Sequence, residues 1–277
     1  MDLGTILTLL GVAVGAGVAG GILAGLLGVG GGIVIVPALY FALSLTGMEP
    51  GLTMQLAVGT SLATIVFTSL SSARGHYRKG AIDAGLLKLW APSILVGVVL
   101  GSFTGGLIDG RILIAVFAAV AAAVALDMVL RGRKGEVTPK GFSKPAWAGF
   151  GVFAGTVSSM MGIGGGTVCV PLLNFLGYDI RRAVGTSAAI GFVIGLPGAI
   201  IYMLTGLGAE GLPPFSLGYV NLVAVAVIIP LTTSFAGVGV KLAHSIPQRA
   251  LRLSFGVFLA LTSARMLWDL ASATGVA

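Results

Sequence analysis

"MGIGGGTVCVP" (Met161–Pro171) places Gly164, Gly165 and Gly166 in a row inside a long apolar segment, and "LGVGGGIVIVP" (Leu27–Pro37) does the same with Gly30, Gly31 and Gly32. Apolar runs of this length read as helix, and glycine is the poorest helix former after proline. Each stretch therefore reads as a break in a hydrophobic helix, made twice in the same form. The resemblance between the two regions continues outside the breaks. "AVGTS" at Ala57–Ser61 recurs at Ala183–Ser187, and "SFTG" at Ser102–Gly105 is answered by "SFAG" at Ser234–Gly237. Matches in the same order along the chain indicate an internal duplication.

The medium that surrounds these segments follows from composition. Of 277 residues 56% are hydrophobic and only 9% charged, with a mean hydropathy of +1.06. Soluble domains carry about 25% charged residues, so the expected fold is an all-α polytopic membrane protein. No polar stretch is longer than a loop, which leaves no room for a separate soluble domain. Apolar segments fall at 3–27, 33–46, 54–73, 84–108, 112–130, 146–161, 167–177, 184–203, 217–240 and 251–270. The most polar stretch, "RGRKGEVTPKGFSK", divides the chain into a first transmembrane repeat (1–130), a linker (131–144) and a second repeat (145–277) of about five segments each.

The net charge of +7 is spread over short loops, which argues against a nucleic-acid partner and for the positive-inside pattern of a membrane protein. With the linker in the cytoplasm, Arg74, Arg78, Lys79, Arg181, Arg182, Lys241, Arg249 and Arg252 fall on the same side as Arg131, Arg133, Lys134, Lys140 and Lys144. Lys88 snorkels to that side from just inside a helix, and only Arg111 and Arg265 fall near the outer face. Both termini are then extracytoplasmic. The N-terminus has no basic region, so no cleaved signal peptide is expected. Halves with an odd number of segments enter the membrane from opposite faces, giving inverted repeats, a recurring plan of secondary transporters with the site between the halves. The single cysteine, Cys169, excludes an internal disulfide and a multi-cysteine metal site and reads as a small buried hydrophobe. No cofactor and no metal site are expected.

A membrane span needs about 17–25 helical residues. Segments 146–161 and 167–177 are short enough to form a re-entrant hairpin, with "GIGGG" at its tip near the bilayer midplane. "GVGGG" approaches from the opposite face as a second broken hairpin, re-entrant or fully spanning. Non-helical backbone at that depth is tolerated only where protein or a water-filled cavity surrounds it. Glycine lets backbone approach a ligand and adopt positive φ. Helices are expected to begin at Ile33 and Thr167, and a helix N-terminus offers free N–H groups and the positive end of a dipole to an anion. Gly30, Gly31, Gly32, Gly164, Gly165, Gly166 and Thr167 are thus substrate-binding candidates, against the alternative that the glycines only make a groove for a packed helix. Pro37 and Pro171 kink the helices after the breaks, or free the carbonyls of Ile33 and Thr167 for a cation or water.

Thr60, Ser61, Thr186 and Ser187, in the paired "AVGTS" motifs, offer hydroxyl donors to an oxyanion, or else bond within their own helices. Ser158, Ser159 and Asn174 have no counterparts in the first hairpin and would make the site asymmetric. No carboxylate is clearly deep in the membrane. Asp127 is expected to pair with Arg131 and Asp269 with Arg265 at i,i+4, and Asp83 lies beside Lys79. His76 and His244 fall in cytoplasmic loops. With no Ser–His pair within the membrane, an enzyme is not expected.

"GLLGVGGGIVIVPAL", "MMGIGGGTVCVPLL" and the paired "AVGTS" resemble the TauE/SafE family of sulfite and organosulfonate exporters. The resemblance runs through nearly the whole chain. It implies an inner-membrane secondary transporter that moves a small anion, a sulfur oxyanion or organosulfonate, with export favoured and H+ or Na+ as a possible coupling ion. The alternatives are a carrier of another small organic anion, a cation or neutral-solute carrier, and a membrane protein without a transport role.

Overall fold

The computed structural model describes residues 3–27, 30–130, 143–242 and 248–273. Among them the chain is all-α, with helices α1 (Leu3–Leu27), α2 (Gly32–Ser44), α3 (Pro50–Arg78), α4 (Ala84–Leu107), α5 (Gly110–Leu130), α6 (Lys144–Met160), α7 (Gly165–Phe175), α8 (Ile180–Thr205), α9 (Leu222–Leu242) and α10 (Gln248–Ala273). The strands β1 (Ser216–Leu217) and β2 (Val220–Asn221) form one short antiparallel hairpin. Of the helices, α3, α4, α5, α8 and α9 are long and apolar enough to cross a bilayer. With α2 at 13 residues and α7 at 11, the helices that follow the two breaks reach only about 20 Å and 16 Å at a rise of about 1.5 Å per residue.

The helix ends follow from local chemistry. Glu49 caps α3 by accepting from the Leu52 N–H at 2.8 Å, with Pro50 at the first position. Asp83 caps α4 by accepting from Leu86 at 2.9 Å, and Asn221 caps α9 by accepting from Ala224 at 2.9 Å. These short polar side chains satisfy amides that have no partner within the helix. The expected segment 217–240 enters its helix late, because residues up to Asn221 belong to the β-hairpin. That hairpin turns at Gly218, whose missing side chain makes room for the Met203 carbonyl of α8.

Small residues set the packing. A β-carbon on Gly97 of α4 would overlap the Val152 carbonyl of α6, and one on Gly155 of α6 would overlap the Ile94 carbonyl of α4. Likewise Gly239 of α9 lies against the Ile22 carbonyl of α1, and Gly21 of α1 against the Thr232 backbone of α9, 2.8 Å from where its β-carbon would be. Such contacts let backbones approach where lipid supplies no hydrophobic drive between helices. The resulting pairs include α1 with α9, α4 with α6, α2 with α3, α7 with α8, α3 with α8 and α5 with α10. These six map onto one another when α1–α5 are exchanged with α6–α10, whereas α3 also packs on α5 with no matching α8–α10 pair among the described residues. The most enclosed of the candidate spans is α3, whereas α4 turns Val96, Leu100, Phe103 and Leu107 outward.

Charged contacts sit at helix ends. Arg265 and Asp269 pair at 3.1 Å as expected from their spacing, and Arg111 pairs with Glu49 at 3.3 Å. Asp83 pairs with Arg182 at 3.8 Å across the halves. His76 is not a solvated loop residue: it lies in the last turn of α3, half-buried, with its Nε2 shielded and unpartnered. Arg131, His244 and the linker up to residue 142 lie outside the described residues.

Candidate functional site

Each break has its own backbone solution. In the first, Gly30 and Gly31 take φ of 72° and 78°. The Gly31 carbonyl accepts from Val34 at 3.0 Å and Ile35 at 3.1 Å to start α2. A β-carbon on Gly31 would lie 2.7 Å from the Gly20 carbonyl of α1, so conformation and contact both require glycine there. In the second, Gly162 at φ 66° closes α6. The Ile163 N–H reaches the Ser158 carbonyl at 3.0 Å, and the Gly162 N–H reaches Ser159 at 3.3 Å, the double bond of a left-handed helix stop. Gly164 is then extended and α7 begins at Gly165. Both helices start a residue or two before the expected Ile33 and Thr167, and neither has a side-chain cap. Their first amides are thus left without side-chain acceptors.

The two tips meet. A β-carbon on Gly30 would lie 3.6 Å from the Cα of Gly164, 3.6 Å from the Ser69 hydroxyl and 3.5 Å from Ile65 Cγ2. A β-carbon on Gly32 would lie 2.5 Å from the Gly162 carbonyl, and Ser61 of α3 donates to that same carbonyl at 2.7 Å. The glycines have different jobs here. Gly31, Gly32 and Gly165 are packed: at Gly165 a β-carbon would lie 2.9 Å from both Ile190 Cγ2 and the Ser187 carbonyl of α8. Gly30 alone of these four has ordinary van der Waals room, on the side that faces the other tip. Gly164 and Gly166 are buried.

The "AVGTS" motifs act as clasps. Gly59 of α3 lies against the Tyr219 carbonyl, and Thr60 accepts from the Asn221 N–H at 2.9 Å. Gly185 of α8 lies against the Ala81 carbonyl, whose oxygen is 2.5 Å from the place of a β-carbon, and Thr186 accepts from the Asp83 N–H at 3.0 Å. In each case glycine admits a carbonyl and threonine takes the amide two residues later, just before α9 or α4. The gripped segment belongs to the other half of the chain. Thr60 and Thr186 therefore hold backbone at helix entries by accepting, which leaves each O–H to donate. Ser159 donates to the Thr156 carbonyl at 3.1 Å. Asn174 is exposed near the far end of α7, about 13 Å along the helix from its start. Pro37 is buried within α2, and Pro171 is exposed on α7.

A second group of hydroxyls, on helices that bear the tips or pack against them, has no partners. Ser158 in the last turn of α6, Thr167 in the first turn of α7 and Ser187 of α8 are buried and bond to nothing. The sequence reading missed Ser69, which is 1% exposed and equally unpartnered. Its signal was present, since Ser69 follows Ser61 by eight positions and lies on the same helical face. Among the described residues no charged side chain is buried, so positive potential at the crossing comes from helix N-termini and not from Lys or Arg.

The sequence model of the sulfite exporter TauE/SafE family matches residues 13–266. A Haemophilus influenzae protein named as a probable membrane transporter is 35% identical over 250 residues, covering 90% of this chain and 95% of the relative. One from Methanocaldococcus jannaschii, with the same description, is 30% identical over 255 residues, covering 89% and 91%. YunE of Bacillus subtilis, again a probable membrane transporter protein, is 30% identical over 212 residues, covering 69% and 77%. No solved structure matches.

Proposed function

The chain belongs to the sulfite exporter TauE/SafE family and is a multi-pass membrane transporter, not an enzyme; from that premise we propose that it carries a small anion, a sulfur oxyanion or organosulfonate, outward across the bacterial inner membrane as a secondary transporter. The bound anion sits at the crossing of the two glycine breaks, held by the first amides of α2 and α7. The observation that carries this reading is that Ser69, Ser158, Thr167 and Ser187, on the helices that bear or pack against two uncapped helix starts, keep buried hydroxyls without partners. A buried polar group left without a partner costs about 1–3 kcal/mol. Several such groups at one place suit a ligand whose oxygens accept from them.

Transport proceeds by alternating access, with 1–130 and 145–277 as inverted repeats about the crossing, 131–144 as the cytoplasmic linker and both termini outside. The duplicated motifs, the exchange symmetry of the helix pairs and the reciprocal clasps support two halves that bear on one central point. The family's description as a sulfite exporter supports the substrate class and the outward direction. H+ or Na+ serves as the coupling ion.

Reconstituted vesicles test the reading. Purified protein should carry labelled sulfite or a short alkanesulfonate saturably, with competition between the two. A saturable flux of a cation or neutral solute that these anions leave unchanged would replace it with the alternative carrier.

A further inference from the structure

We infer that the Ser69 hydroxyl is a direct ligand of the anion at the glycine crossing, together with the first amides of α7, and that the site selects a singly charged oxyanion. This rests on the proposed anion site and adds a residue and a charge state to it. Ser69 of α3 is 1% exposed and its hydroxyl has no hydrogen-bond partner. Three backbones converge on it. A β-carbon on Gly30 would lie 3.6 Å from this hydroxyl and 3.6 Å from the Gly164 Cα. A β-carbon on Gly191 of α8 would overlap the hydroxyl and lie 3.9 Å from the Gly165 backbone nitrogen. The Ser69 hydroxyl therefore takes up the room that Gly191 leaves, with the leading amide of α7 near the same point, and Gly30 and Gly164 add no side chain beside it. An oxygen atom placed between them would receive an O–H from α3 and an N–H from α7.

The charge state follows from what surrounds these donors. Ile65 and Ile190 pack beside the tips, and no charged side chain is buried among the described residues. Neutral donors and a helix dipole offset about one negative charge. The cost of removing an ion from water rises with the square of its charge, and a second charge finds no counter-ion here. Hydrogensulfite or a sulfonate fits; a dianion such as sulfate does not.

The test uses the purified full-length protein, with methanesulfonate as the singly charged probe and sulfate as the doubly charged one. Ser69→Ala should weaken methanesulfonate binding by roughly 13- to 160-fold, the range for one hydrogen bond to a charged group. Its melting point without ligand should not fall, because no bond within the protein is lost. Ser72→Ala, also buried and unpartnered on α3, should bind as wild type. Sulfate should bind at least about tenfold more weakly than methanesulfonate. Unchanged binding by Ser69→Ala alongside lost binding by Gly30→Ala would overturn the Ser69 assignment and leave the crossing as the site. A melting point that falls together with affinity in Ser69→Ala, or equal weakening in Ser72→Ala, would overturn it in favour of a packing role. Equal affinity for sulfate would overturn the charge selection. Wild-type binding by Gly30→Ala would remove the crossing itself, and this inference with it.

Discussion

Gly30→Ala separates the conformational role of a tip glycine from its role in binding. At φ 72° an alanine sits in the left-handed region, which costs an L-residue about 1–2 kcal/mol. The added methyl brings no steric penalty, since its nearest neighbours would be 3.5–3.6 Å away. The protein should therefore fold with a loss of about 1–2 kcal/mol. The methyl would stand 3.6 Å from both the Gly164 Cα and the Ser69 hydroxyl, beside the place proposed for the anion, so affinity should fall beyond the roughly 160-fold that one lost hydrogen bond to a charged group explains. Gly165→Ala is the matched control. Its methyl would press on Ile190 and the Ser187 carbonyl at 2.9 Å, an overpacking cost of about 1–3 kcal/mol, yet it points at α8 and leaves the Gly165 N–H in place. Equilibrium unfolding gives the stability of each variant, and titration calorimetry with methanesulfonate gives the affinity. Two proteins of similar stability should differ in binding, with only Gly30→Ala deficient. A folded Gly30→Ala with wild-type affinity would refute the reasoning, and so would parallel loss of binding in both variants.

Thr186→Val leaves the Asp83 amide without its acceptor and should destabilise the protein by about 1–3 kcal/mol in equilibrium unfolding, with little change in anion affinity; lost binding at full stability would return Thr186 to the site. Single cysteines in a Cys169→Ser background should report topology, with the exposed Glu210→Cys labelled from outside and the exposed Arg78→Cys from inside. Labelling of both from one side would refute the inverted arrangement. If the halves rock about the crossing, Ser61→Cys and Ser187→Cys should change reactivity in opposite senses when methanesulfonate is added, whereas identical protection at both would indicate a fixed pore.

The helices were legible in the sequence because hydropathy and helix breaking are local properties. The segment at 84–108 is α4 to within a residue, and 3–27 is α1. The "GGG" runs mark real breaks for the same reason: three glycines weaken a helix whatever surrounds them. The Arg265–Asp269 pair needed only helical spacing. Where the sequence offered a choice between binding and packing, it had no means to decide. Gly30 and Gly165 look alike in their motifs, yet one faces the other tip and the other faces α8.

The hydroxyls divide in the same way. Ser61 and Ser187 hold the same place in identical pentapeptides, but Ser61 donates to the Gly162 carbonyl and Ser187 bonds to nothing. Ser69 stood outside every motif and acquires its place only through Gly191, far along the chain on α8. The sequence by itself determined the membrane class, the order of the helices, the duplicated breaks and the family, all of which rest on composition and on neighbours within a few turns. The tertiary structure alone decided which glycine has room on its open side, which hydroxyls are occupied and which half each clasp grips. Those depend on where segments more than a hundred residues apart cross, and a backbone contact of that kind leaves no periodicity in the chain that makes it.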